Sequence, residues 1–96
     1  MELFIFGRFR VRAGEEEEFA ETLRVVVKAS REEAGCLEIH GYRGVRDRRL
    51  FYVHSRWKDE AAFEVHGRTA HTVKFLEKAE KLIEHELDVA RAERIC

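Results

Sequence analysis

The chain is predicted to fold as a small α+β domain in the order βαββαβ, with four antiparallel strands in one sheet and the helices on one of its faces. Three observations carry this. Four segments rich in aliphatic and aromatic residues, at 2–12, 36–45, 50–57 and 86–95, have strand character. Two intervening stretches, one following Ala13-Gly14 and one following Lys58-Asp59, carry apolar residues at helical spacing. The 96 residues contain no proline, so nothing interrupts either kind of element.

In the first strand Leu3, Ile5, Gly7, Phe9 and Val11 share one face, while Phe4, Phe6, Arg8 and Arg10 share the other. Ala13-Gly14 breaks the strand, and a helix runs on to about residue 34. Glu15 to Glu18 occupy its first turn, where carboxylates complement the helix dipole. Its stripe is Phe19, Leu23, Val26, Val27 and Ser30, and Gly35 reads as its stop. Arg46-Asp47-Arg48-Arg49 then separates two strands, which predicts a β-hairpin. Asp59 is placed to cap a short helix to about residue 66, interrupted by Gly67. Thr69 caps a second helix over 69–84, whose stripe is His71, Phe75, Leu76, Ala79, Leu82 and Ile83. A last strand over 86–95 completes the split βαβ, ferredoxin-like arrangement, and residues 1–96 read as one domain.

Alternation divides the hairpin. Leu37, Ile39, Gly41, Phe51, Val53, Ser55 and Trp57 should pack under the helices. Glu38, His40, Tyr42, Tyr52, His54 and Arg56 should line the uncovered face, with Glu38 near Arg56. That mixture of aromatic and polar groups has the character of a protein interface, so a homodimer joined sheet to sheet is expected. A domain this small also gains from a partner, because its own core is limited.

Composition removes several functions. A net charge of −1 gives no electrostatic basis for nucleic acid or an anionic membrane. No apolar run reaches the roughly 18 residues of a membrane span, and the first residues lack the features of a secretory signal. A cytoplasmic location is the default expectation. Cys36 and Cys96 form neither a disulfide framework nor a zinc motif, and Cys96 reads as a free thiol. No dinucleotide fingerprint, P-loop, nucleophile elbow or zinc-protease helix occurs, so no cofactor and no metal is expected.

The five histidines carry what chemistry there is. His85, near the end of the last helix, is read as structural, where a cation is favoured. His40 and His54 belong to the uncovered face and suit interfacial hydrogen bonds. His66 lies three residues after Phe63, and His71 four before Phe75, so both fall on core-facing sides of adjacent helices. Buried imidazoles need partners, and imidazole suits proton transfer near neutral pH. They should line a space between helices and sheet with Trp57 and Tyr52. Gly7, mid-strand on the helix side, either opens room for a ligand or marks a bulge.

Three motifs carry a family resemblance. Glu33-Ala34-Gly35-Cys36-Leu37 resembles an E-P-G-C-L turn entering the second strand. Arg56-Trp57-Lys58-Asp59-Glu60-Ala61-Ala62-Phe63, followed by His66, Thr69 and His71, resembles a W-x-D-x-x-A-F-x-x-H-x-x-T-x-H-F signature. Val11-Arg12-Ala13-Gly14-Glu15 resembles a V-K-P-G-x helix entry. All three are similar to the antibiotic biosynthesis monooxygenase family, with the spacing kept over nearly the whole chain.

The resemblance implies a ferredoxin-like protomer, a dimeric α/β barrel and a pocket between helices and sheet. Members include cofactor-independent oxygenases of quinols and aromatic polyketides, haem-degrading enzymes and an isomerase. The haem-degrading branch uses Asn, Trp and His where this chain has Gly7, His66 and Leu76, which argues against that chemistry. Other departures are Ser55 for a usual Glu, Ala13 and Ala34 for prolines, and Thr72 for a Phe.

Three functions follow as expectations. The first is a cofactor-independent monooxygenase of a quinol or phenolic, polyketide-like small molecule, with His66 or His71 as base and Trp57, Tyr52, Gly7, Phe63 and Phe75 forming the substrate site. The second is a proton-transfer isomerase of a small carbonyl compound using the same histidines. The third is a non-catalytic dimer that binds a small molecule.

Overall fold

A computed structural model describes residues 1–96. The elements are β1 (Leu3–Arg10), α1 (Glu16–Ser30), β2 (Cys36–Arg43), β3 (Leu50–Trp57), α2 (Glu60–Gly67), α3 (Ala70–Leu82) and β4 (Asp88–Ala92). The sheet order is β2-β3-β1-β4, with every neighbouring pair antiparallel. This is the expected α+β, ferredoxin-like topology, its second helical leg split in two at Gly67.

Hydrophobic alternation sets which face of the sheet is covered. Leu3, Ile5 and Phe9 of β1 and Phe51, Ser55 and Trp57 of β3 are buried beneath the helices. Phe19, Leu23, Val26 and Val27 of α1 and Phe75, Ala79 and Leu82 of α3 close over them in one core cluster with Phe9, Ile39 and Phe51. A smaller cluster of Leu3, Ile5 and Trp57, backed by Cys36, Ala62 and Phe63, lies toward α2. Gly14 turns the chain into α1 with φ of 91°, a conformation that a side chain disfavours. Asp59 caps α2, its carboxylate accepting from Ala62 N at 2.8 Å, and the Thr69 hydroxyl accepts from Thr72 N at 3.4 Å at the start of α3.

Five details differ from the sequence reading. First, α1 ends at Ser30 and not near residue 34, because Glu32 N and Glu33 N bond back to Ala29 and Ser30 carbonyls in a tight turn. Gly35 is therefore not a helix stop; a Cβ there would overlap the side chain of Ala62, so the glycine lets β2 pass against α2. Second, Leu37 is 43 % exposed and does not pack under the helices. Cys36 pairs with Trp57 and Glu38 with Arg56, so Leu37 is the extra residue of a bulge and Cys36 takes the inward place.

Third, α3 stops at Leu82, since Ile83 turns extended and bridges to Val11. Fourth, His85 lies past that helix and is no helix-end cation. Its Nε2 accepts the Arg10 backbone N–H at 2.8 Å, while Nδ1 donates to Glu86 O at 2.6 Å. An imidazole that accepts a hydrogen bond is neutral. Its role is still structural, fastening the chain after α3 to the end of β1. Fifth, β4 spans only Asp88–Ala92, an edge strand paired with β1.

The far face of the sheet carries no helix. Phe6 is 52 %, Tyr42 50 % and Tyr52 38 % exposed there. The Glu38 carboxylate accepts from Arg56 Nε at 3.3 Å, as the alternation predicts. No helix is long and apolar enough to cross a membrane.

Candidate functional site

A cavity of about 330 Å³ lies between the helices and the covered face of the sheet. It sits at the lower end of ligand-pocket sizes, which start at roughly 300 Å³. Ile5, Gly7 and Phe9 of β1 and Val53 and Ser55 of β3 form its floor, with α1 contributing Val26, Val27 and Ser30. Phe63 and His66 of α2 and Phe75 and Leu76 of α3 form the opposite side, and Leu87, Val89 and Arg91 the rim. A Cβ on Gly7 would come within 3.1 Å of the Phe9 ring, so the missing side chain lets that ring pack against the strand. Gly7 pairs regularly with Val53 and Val89 and marks no bulge.

The polar centre is made of three residues, Glu33 from the turn after α1, His66 from α2 and His71 from α3. His66 Nδ1 and His71 Nε2 each lie 2.7 Å from the same oxygen, Glu33 Oε2. A carboxylate only accepts, so both ring nitrogens carry the proton of the bond. That fixes the tautomers of the neutral rings. His66 keeps an unprotonated Nε2, and His71 an unprotonated Nδ1. All three side chains are largely withdrawn from solvent, with 11 % of His66, 14 % of Glu33 and 26 % of His71 exposed. In that setting the charge-assisted bonds are strong and the rings are held firmly.

Further contacts orient His66. Its ring centroid is 4.5 Å from that of Trp57 and 5.6 Å from that of Phe63. Trp57 is locked in turn by its Nε1–H, which donates to Ser55 Oγ at 2.9 Å. The Thr72 hydroxyl lies 3.4 Å from His66 Nε2, a long contact that leaves the nitrogen accessible to a closer donor. Cys36 packs nearby, and its thiol is pushed up from the ordinary value, first by burial and then by the Glu33 charge.

Glu33, His66 and His71 also offer three ligand atoms within 4.8 Å of one another, the composition of a metal site. Both histidine nitrogens stand only 2.7 Å from the oxygen, shorter than the ~3.3 Å ligand separation of a tetrahedron with ~2.0 Å bonds. As they stand, the three side chains are hydrogen-bonded to one another.

The residues expected at the site are therefore distributed unevenly. His66, Gly7, Phe63 and Phe75 line the cavity. Trp57 is fully buried behind His66 and supports it without forming the wall. His71 lies on the far side of Glu33 and faces an outer groove with Val26, Lys74 and Phe75. Tyr52 is not brought to the site. It pairs with Tyr42 and Arg8 on the uncovered face, as its even position in β3 requires, and its ring points away from the helices. Sequence reasoning missed Glu33, Ser30 and Thr72 as site residues. Glu33 stood in a turn motif 33 positions from His66, and nothing local signalled the pairing. Ser30 did carry a signal, as the single hydroxyl in an otherwise apolar stripe.

A wider groove of about 500 Å³ runs between α1 and the hairpin, lined by Arg24, Lys28, Arg31, Arg43 and Arg48. It holds no histidine or carboxylate.

Comparison with known proteins agrees with the fold. The family model described as antibiotic biosynthesis monooxygenase matches residues 3–87. The Bacillus subtilis protein named "Putative monooxygenase YcnE" is 34 % identical over 84 residues, which cover 88 % of each chain. The crystal structure of PA3566 from Pseudomonas aeruginosa superimposes with a TM-score of 0.91 at 30 % identity, covering 99 % of this chain and 95 % of that one. Rv0793 from Mycobacterium tuberculosis shares the fold at 16 % identity, with a TM-score of 0.94 and coverage of 100 % and 97 %. The chain belongs to the antibiotic biosynthesis monooxygenase family.

Proposed function

We propose that the protein is a cofactor-independent monooxygenase acting on a quinol or phenolic small molecule, and that His66 is its base. The observation that carries this reading is the pairing of an apolar cavity with one oriented imidazole. Glu33 accepts a hydrogen bond from His66 Nδ1–H, which leaves Nε2 of the neutral ring unprotonated, on a residue of the cavity wall. Residues 1–96 act as one domain in this reading, and two copies associate through the uncovered sheet face.

The chemistry asks little of the protein beyond binding and one proton transfer. A quinol bound in the cavity gives its hydroxyl proton to His66 Nε2. The resulting anion is electron-rich, and the apolar wall leaves it poorly solvated, which favours electron transfer to dioxygen. Radical recombination forms a carbon–oxygen bond at the ring. The O–O bond then breaks, one oxygen stays as a carbonyl, and the other leaves as water with protons from the substrate and His66. A quinol and O₂ thereby give a hydroxyquinone and water, with the substrate supplying all four electrons. Phe63 and Phe75 hold the ring, and Trp57 fixes the imidazole plane.

The test is oxygen consumption by the purified, metal-free protein across hydroquinones and naphthohydroquinones, against a His66→Ala/His71→Ala double variant. Uptake above autoxidation that the variant loses by ~100-fold or more is the expected result. Turnover without oxygen uptake would favour the isomerase. Ligand-induced stabilisation with no product would favour a binding protein.

A further inference from the structure

The inventory of polar groups around the cavity leaves one hydroxyl unexplained. Ser30 Oγ is fully buried and has no hydrogen-bond partner, the only side-chain polar atom of the protein in that condition. A serine near a helix end ordinarily bonds to a carbonyl one turn back. Here it does not, although Val26 and Val27 beside it are well packed. Buried hydroxyls without partners are unfavourable and rare, and each calls for an explanation.

The other polar groups of the wall are engaged. Thr72 bonds to Thr69 at 2.9 Å, and Ser55 accepts the Trp57 N–H at 2.9 Å. Arg91 at the rim is held by Glu60 at 2.8 Å and by Glu64. Ser30 Oγ on α1 is therefore the one wall atom with no partner at all, while the Ser55 hydroxyl keeps a proton to give and His66 Nε2 on α2 has only the 3.4 Å contact with Thr72. An acceptor and a hydroxyl on different walls of an apolar slot complement an aromatic ring carrying two oxygens.

We infer that Ser30 is a specificity-determining residue, donating its hydroxyl proton to a second oxygen of the substrate while the first oxygen meets His66. This rests on the reading of the cavity as an aromatic site and narrows its ligands to dioxygenated aromatics. It predicts that a phenol with one oxygen binds without satisfying Ser30, whereas a quinol or its monomethyl ether does.

The experiment uses isothermal titration calorimetry under nitrogen with 1-naphthol and a set of methoxy-1-naphthols substituted at ring positions 4 to 7. The wild type should bind the best methoxy isomer ~3- to 10-fold more tightly than 1-naphthol, the range of one net hydrogen bond. Ser30→Ala should bind both compounds alike. Ser30→Thr, which restores a hydroxyl, should recover part of the preference. An unchanged preference in Ser30→Ala, or a wild type with no preference, would overturn the inference and leave Ser30 serving a buried water, while naphthol binding and oxygen uptake would stand. Failure of the wild type to bind any naphthol would overturn the aromatic reading itself.

Discussion

A single carboxylate oxygen organises the candidate site. Glu33 Oε2 accepts from His66 and His71 at 2.7 Å each, so the two rings share one anchor and one source of negative charge. Replacing Glu33 by Gln preserves the size of the side chain but puts an amide where two N–H groups converge. Its oxygen accepts from one histidine, and its NH₂ opposes the other. His66 is then free to adopt the other tautomer, which puts the proton on Nε2 and removes the base. Glu33→Gln should lower kcat by ~10-fold or more with little change in KM, because the cavity wall that binds substrate is untouched. Equal loss in both variables, or none, would show that Glu33 only supports the turn. The histidines were legible in the sequence because they sit on apolar stripes, where an imidazole is conspicuous. Glu33 was not, since one more glutamate among many near the end of a helix carries no local mark, and its meaning depends on α2 and α3 packing against it.

At the scale of elements, the end of β1 is fastened by charge as well as by the buried Val11–Ile83 contact. Arg10, last in β1, donates to Asp47 in the hairpin loop at 2.5 Å and to Glu84 after α3 at 2.7 Å, while Arg49 reaches Glu84 at 3.0 Å. Asp47 is held below its ordinary value of 3.8, first by the Arg49 backbone N–H and then by the Arg10 charge. Glu84 is held below 4.5, first by the hydrogen bond from Arg10. Depressed carboxyls bind protons less readily folded than unfolded. Their stabilisation is complete above the ordinary values and is lost as pH falls through the lowered ones. The side chains of the network are 29 to 38 % exposed, so added salt should weaken it. Thermal unfolding followed from pH 7 down to pH 2.5 should show a fall below about pH 4.5 that is shallower in Asp47→Asn/Glu84→Gln than in the wild type. Parallel curves would remove these two groups from the account. Most element types and order were legible from periodicity, and both N-caps from residue type. The bulge at Leu37 was not, because strict alternation assigns it inward and only the pairing of Cys36 with Trp57 reveals the extra residue.

At the scale of the molecule, the question is what covers the second face of the sheet. Phe4, Phe6, His54, Tyr42 and Tyr52 gather there, with Phe6 and His54 ring centroids 5.1 Å apart and Phe6 and Tyr42 about half exposed. An aromatic patch of this kind marks an interaction surface, and a protein this small gains most from burying it. Arg56 is balanced by Glu2 and Glu38, so the face presents little net charge to repel a second copy. Light scattering at micromolar concentration should give twice the chain mass of 11.3 kDa. Phe6→Asp/Tyr52→Asp places two carboxylates in the centre of the patch without touching the helix-side core. It should sediment as a monomer, retain its circular dichroism at 20 °C, and lose the concentration dependence of its melting temperature. Since the cavity lies on the opposite side of the sheet from this patch, the folded monomer should still bind naphthols. A wild-type monomer would overturn the interface argument. A dimer that survives both aspartates would move the contact off this face, most plainly to the exposed edge of β4 or β2, where unpaired backbone groups remain.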